Sequence, residues 1–282
     1  MKRKLAGLAV LTGMAAATTL LVPATPAQAS VGLYRVAATS VLDATNAKTM
    51  PISCNGADQV VGAGGRINDG QGDVLMTRVY ADATLHTVTV LGVEANATNV
   101  PWSVDAFAVC APAGAVAGLQ LVTTTSVNNA LDKVAVTAVC PPGKSTFGGG
   151  YRVDNANAAV AVDELEFTST LDSVSSTAYV FGAPGNFTLQ TQAFCGTPLP
   201  AMALTEATSV SNASAPKTAT APSCPAGSQT AGVGAALTGL TGAGSVATLL
   251  PKAALDSADV TGREIIAFAS SWRIKAQQVC VG

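Results

Sequence analysis

The chain has 282 residues, of which 49% are hydrophobic and 11% charged, with a formal net charge of −2. Apolar content on that scale suits a packed core and not a disordered chain. A charge so sparse, and acidic in sign, excludes the basic surface that nucleic acid requires.

The first element is a leader. Lys2, Arg3 and Lys4 precede the apolar stretch Leu5–Val22, and Ala27-Gln28-Ala29 is a small-x-small cleavage site. Residues 1–29 therefore read as a secretory signal peptide. Its removal leaves twelve basic residues against 17 acidic ones, a net charge of −5. No later apolar run reaches the ~18 residues of a membrane span. Cys280 lies two residues before Gly282, with no hydrophobic tail after it. The expected product is secreted and extracellular, without a membrane span.

After the leader one skeleton recurs three times. A cysteine is followed eight residues later by Gly-x-Gly, and an aromatic residue and a second cysteine, again eight apart, close the unit. The cysteines are Cys54 and Cys110, Cys140 and Cys195, Cys224 and Cys280; the glycines are Gly62 and Gly64, Gly148 and Gly150, Gly232 and Gly234; the aromatics are Trp102, Phe187 and Trp272. A period near 85 residues divides the chain into β repeats over 30–113, 114–199 and 200–282. Each unit also carries Thr-Ser-Val near its start, followed by a lysine (Lys48, Lys133, Lys217). Each closing segment alternates with period two, which places the aromatic and the cysteine on one face of a strand. Helical periodicity is absent, and Pro/Gly clusters follow the first cysteine of each unit. The fold class is all-β: three homologous antiparallel units of about 84 residues, five to seven strands each. They are expected around a pseudo-threefold axis, prism-like, with three tandem β-sandwiches as the alternative.

Six cysteines in an exported chain read as disulfides. Pairing that respects the repeat leaves three schemes: one within units and two cyclic between units. The within-unit scheme is preferred because each unit then carries its own staple. The aromatic slot reads as a ring packed beside that staple in the core, with a sugar-stacking platform as the alternative.

Residues that could carry chemistry are few. The Gly-x-Gly elements lack the Lys-Ser/Thr of a phosphate loop and read as bulges or close backbone approaches. His86 is the single histidine and has no partner motif for a triad or zinc. Asn68-Asp69-Gly70-Gln71-Gly72-Asp73 lacks the spacing of a calcium loop and reads as a hairpin tip, like 154–157 and 238–242. Asp163, Glu164 and Glu166 form the densest carboxylate cluster, and paired carboxyls are what glycoside hydrolysis uses; Leu165 and Phe167 alternate with them as in an ordinary amphipathic strand. No catalytic residue, metal ligand or cofactor is assigned.

Ser223-Cys224-Pro225-Ala226-Gly227, Gly148-Gly149-Gly150 and Ala108-Val109-Cys110-Ala111 together resemble secreted actinobacterial proteins in which Cys-Pro-x-Gly, a Gly-Gly-Gly strand and a closing Trp…Cys-Ala recur. That resemblance implies an exported protein of a group without assigned activity. Unit one departs from it with Asn55 in place of proline, and unit three with Gly232-Val233-Gly234. A triple Gly-rich β repeat is also loosely similar to the egg vitelline-membrane outer-layer β-prism, whose repeat is shorter and from which no function carries over. The expected function is that of a secreted, non-catalytic extracellular or cell-surface protein, a binding or structural module for a polysaccharide or another protein. Its repeat would suit multivalent contact. The alternative is a secreted hydrolase using the carboxylates near 163–166.

Overall fold

A computed structural model describes residues 31–70, 72–156 and 158–282; the leader expected over 1–29 lies outside them. No helix occurs among the described residues, which form eighteen strands. The first unit contributes β1 (Tyr34–Thr39), β2 (Ala47–Ser53), β3 (Gln59–Asn68), β4 (Val74–Ala81), β5 (Thr87–Glu94) and β6 (Ser103–Ala111). The second contributes β7 (Gln120–Thr125), β8 (Lys133–Val139), β9 (Ser145–Asp154), β10 (Val160–Phe167), β11 (Ser173–Val180) and β12 (Thr188–Gly196). The third contributes β13 (Ala203–Thr208), β14 (Lys217–Thr220), β15 (Gln229–Thr238), β16 (Gly244–Pro251), β17 (Ala258–Glu264) and β18 (Arg273–Val281).

These strands build three six-stranded antiparallel sheets, and every sheet is shared by two units. Sheet I runs β1-β6-β3-β16-β17-β14, sheet II β2-β5-β4-β9-β12-β7, and sheet III β13-β18-β15-β10-β11-β8. Each unit is a small sandwich of two three-stranded halves, and each half continues into a neighbour. Tandem independent sandwiches are thus not what forms. The joins are short: Thr248 and Leu249 lie opposite Arg66 and Gly65, Arg78 and Val79 opposite Arg152 and Tyr151, and Glu164 and Leu165 opposite Ala236 and Ala235.

The Gly-x-Gly elements lie where the units meet. One bulge interrupts each of β3, β9 and β15, at Val61, Phe147 and Ala231. A methyl added to Gly62 would overlap the carbonyl oxygen of Ala231; on Gly232 it would overlap that of Phe147, and on Gly148 that of Val61. The three contacts close a ring, each glycine against the bulge of the next unit. The second glycines do the same against the joining strands: Gly64 on Leu249, Gly150 on Val79 and Gly234 on Leu165. Backbone meets backbone at these points, which only a residue without a Cβ allows.

The disulfides are Cys54–Cys110, Cys140–Cys195 and Cys224–Cys280, and the described residues include no free cysteine. Each ties the two halves of one sandwich together. Closing a loop of 55 or 56 residues stabilises the fold by roughly 4 kcal/mol in the chain-entropy model.

Trp102, Phe187 and Trp272 are fully buried, but not beside the disulfides. Parity puts ring and sulfur on one face; it does not bring them together, because eight residues along a strand span about 26 Å. Each ring instead closes the opposite end of its sandwich. There the repeated lysine lies over it, with Lys48, Lys133 and Lys217 at 4.8, 4.3 and 4.9 Å from the ring centroids. All three lysines are buried. Their ammonium groups donate to Asp43, Asn129 and Asn212 on the β1–β2-type connection. Trp102 and Trp272 donate their indole N–H to Glu94 and Glu264, at 3.1 and 2.8 Å. The register places Val180 at the position of those glutamates in the second unit. Where phenylalanine replaces tryptophan, the acceptor has gone as well.

The Asp-Gly segment at 68–73 is not a hairpin tip. β3 and β4 belong to different sheets, so the chain passes from sheet I to sheet II between them, and β9 to β10 and β15 to β16 make the equivalent passages. Asp69, Asn155 and Gly239 take the left-handed conformation there. Local turn chemistry marks the reversal without saying which sheet the next strand joins.

Candidate functional site

The axis, the disulfides and the aromatic ends repeat in all three units. The outward faces of the sheets do not. Across the join of sheet I the ladder aligns Thr39, Asp105, Arg66, Thr248, Thr261 and Thr218, one residue per strand. The matching row of sheet II is Thr49, Leu91, Arg78, Arg152, Gln190 and Thr125. In sheet III it includes Thr177, Glu164, Ala236, Lys275 and Thr208. One backbone frame therefore presents three different surfaces, and multivalent reuse of one patch is not what these faces offer.

The sheet I face holds an open trough of about 750 Å³. Its row crosses six strands, about 24 Å at the normal strand spacing. Arg66 donates through Nε to Asp105 at 2.8 Å, and Thr39 donates to the other carboxylate oxygen at 2.7 Å. Burial works against the charge on Asp105, but hydrogen bonds from Thr39, Asn68 and Arg66 outweigh it and hold its pKa below the usual range. Asp105 is therefore a fixed anion that orients Arg66. Thr218 and Thr261 share a hydroxyl–hydroxyl hydrogen bond of 3.0 Å. Ser40, Asn68, Asp69, Ser103 and Arg263 add to the polar lining, Leu42, Ile67 and Pro216 are its apolar members, and no aromatic ring takes part.

The carboxylates singled out in sequence lie on sheet III. Glu164 and Glu166 line a pocket of about 330 Å³ together with Glu206, Phe167 and Gln277. Lys275 pairs with Glu166 and lies 3.8 Å from Glu206. Burial, together with a hydrogen bond to Glu166, raises Glu164 to about 7. Asp163 does not join them. It is the bulged residue of β10, where the counterparts in β4 and β16 are Thr77 and Ala247. It is 5% exposed, and its Oδ1 has no partner among the described residues. Burial, reinforced by Glu164 and Asp132, raises its pKa to about 8.

Folded, the Asp163 carboxyl keeps its proton to about pH 8, whereas in an unfolded chain it loses it near pH 4. Its effect on stability is therefore nil below pH 4 and increasingly unfavourable as pH rises from about 4 to about 8. Asp163→Ala, which installs the residue found at 247, should raise stability at pH 8 by several kcal/mol, about 5 at most, and flatten that decline. Urea titrations at pH 5 and pH 8 measure it, and an equal effect at both would show that the carboxyl is not the cause.

Gln192 and Gln277 were not singled out by sequence, yet both are clamps between units. Gln192 accepts from Ala81 N at 2.8 Å and donates to Ala81 O at 3.0 Å. Gln277 does the same to Phe167, at 2.8 and 3.1 Å. At the third join the backbone partner is Pro251, which has no N–H to donate. Phe107 stands in the glutamine position, and Arg35 stacks on it at 5.0 Å while donating to Pro251 O. The signal was present as glutamines 85 residues apart and a proline where a third clamp would fail.

His86 precedes β5 and takes part in turn hydrogen bonding: its N–H donates to Asp82 and its ring lies 3.3 Å from Asp58 O. No group of three or more His, Cys, Asp or Glu among the described residues could hold a metal ion. No helix there is long and apolar enough to cross a membrane.

No protein-family model matches the chain, and no curated protein matches it. What fold and site define is a class: an all-β, disulfide-stapled protein of three shared six-stranded sheets, with a polar trough on one face.

Proposed function

We propose that the chain is an exported, non-catalytic binding protein whose ligand is a glycan, taken up by the sheet I trough. The leader sequence and three disulfides support export. The observation that carries the glycan reading is the uninterrupted polar row Thr39–Asp105–Arg66–Thr248–Thr261–Thr218. Four of its six residues carry hydroxyls, and the two charges neutralise each other. Such a row offers alternating donors and acceptors to a ligand made of hydroxyl groups, along a length suited to an extended chain.

The hydrolase reading is weaker. Glu166 is committed to an ion pair with Lys275 and Glu164 accepts a hydrogen bond from Thr177, whereas glycoside hydrolysis needs two available carboxyls facing the scissile bond.

Thr39 and Thr218 are exposed at the two ends of the row. The double variant Thr39→Ala/Thr218→Ala should lose about 1–3 kcal/mol of stability through the Asp105 and Thr261 hydrogen bonds, remain folded, and bind polysaccharide about tenfold more weakly. Pull-down and calorimetry of residues 30–282 against soluble and cell-wall polysaccharides test this. Undiminished binding by the variant would place the ligand elsewhere, and no polysaccharide binding at all would end the glycan reading.

A further inference from the structure

We infer that the glycan taken up by the trough is an acidic one, and that Arg263 reads its carboxylate. This rests on the trough being the binding face. It adds the class of ligand and the residue that selects it.

Basic groups on and around this face are mostly committed. Arg66 is held by Asp105. Lys252 is paired with Asp259 at 3.4 Å. Arg35 spends its guanidinium on the Phe107 ring and on Pro251 O. Arg263 is the exception. It stands on β17 two residues beyond Thr261, so it shares the outward face of the row. Its side chain has no hydrogen bond, ion pair or ring contact among the described residues, and it is half-buried. It lines both the trough and an adjoining pocket of about 280 Å³ that includes Ala215, Pro216 and Glu264. Glu264 forms no ion pair with Arg263: its two carboxylate oxygens are directed to Trp272 Nε1 and Phe268 N. Asp69, the remaining charge of the trough, is exposed and forms no ion pair with Arg263.

A half-buried guanidinium without a partner bears a desolvation cost that an incoming anion relieves. Its planar fork matches a carboxylate through two parallel hydrogen bonds. The neighbouring hydroxyl row recognises sugar hydroxyls, so both features meet in a uronic-acid-containing polysaccharide.

The test is calorimetric titration of residues 30–282 with a galacturonic-acid tetramer and with a galactose tetramer. The acid should bind about tenfold or more tightly than its neutral counterpart. Arg263→Gln should erase that preference without lowering the melting temperature. Arg263→Lys, which keeps the charge but loses the fork, should restore only part of it. Arg273→Gln, the same charge change at an exposed position on sheet III, should leave the preference intact. Equal binding of the two tetramers, or a preference that survives Arg263→Gln, overturns the acidic-ligand inference while the trough reading stands. If neither tetramer nor any polysaccharide binds, the trough reading itself fails.

Discussion

Gly62→Ala is expected to lose more than about 3 kcal/mol of stability, or to prevent the three units from closing at all. The added methyl meets the Ala231 carbonyl, which belongs to a bulge in the third unit, and Val109 lies on its other side. A flexible side chain could move aside, but a backbone carbonyl held in a β ladder cannot without shifting β15. Because the three contacts form a ring, a shift at one join displaces the other two. Gly143→Ala provides the comparison. Gly143 has φ of +79° and nothing within 4 Å of an added Cβ, so that change costs only the left-handed backbone penalty, about 1–2 kcal/mol. Guanidinium unfolding of the two variants measures the difference. Equal losses would show that close approach at the axis is not what the first glycine serves.

Trp272→Ala should cost about 3–5 kcal/mol. The ring is fully buried, Lys217 stacks on it and Glu264 accepts its N–H. The more discriminating variant is Trp272→Phe. It keeps a ring beneath the lysine but removes the N–H donated to Glu264, which then retains only the bond from Phe268 N, a loss of about 2 kcal/mol. Adding Glu264→Val reproduces the pairing of Phe187 with Val180 in the second unit and should recover roughly half of that loss. Thermal melts of the two single variants and the double variant give the coupling. Additive losses would mean that the indole–carboxylate pair is not a unit. A Trp272→Ala variant that kept its melting temperature yet lost polysaccharide binding would make the slot a binding platform instead.

Sequence periodicity reached the all-β class and three similar antiparallel units, because cysteine, glycine and aromatic spacings follow strand geometry; between a prism-like arrangement and tandem sandwiches it left the choice open. It could not reach the sharing of sheets. Whether β3 turns back on β4 or hands over to another sheet depends on a contact between Gly62 and Ala231, which are 169 residues apart. The distance between Trp102 and Cys110 was misread because parity along a strand reports the face and not proximity. The trough escaped for a related reason. Thr39, Asp105, Arg66, Thr248, Thr261 and Thr218 are individually unremarkable polar residues from two units, and only the ladder register lines them up. By contrast, Asp163, Glu164 and Glu166 drew attention as neighbours in sequence, yet a bulge separates the first from the others.

Amide hydrogen exchange on residues 30–282, with and without a bound polysaccharide, tests the central claim most directly. Added protection should concentrate on sheet I, in β1, β3, β6, β14, β16 and β17, and be absent from β7, β8 and β11. Protection centred on the Glu164–Glu206 pocket, or distributed equally over all three sheets, would contradict a single binding face built across the join of the first and third units.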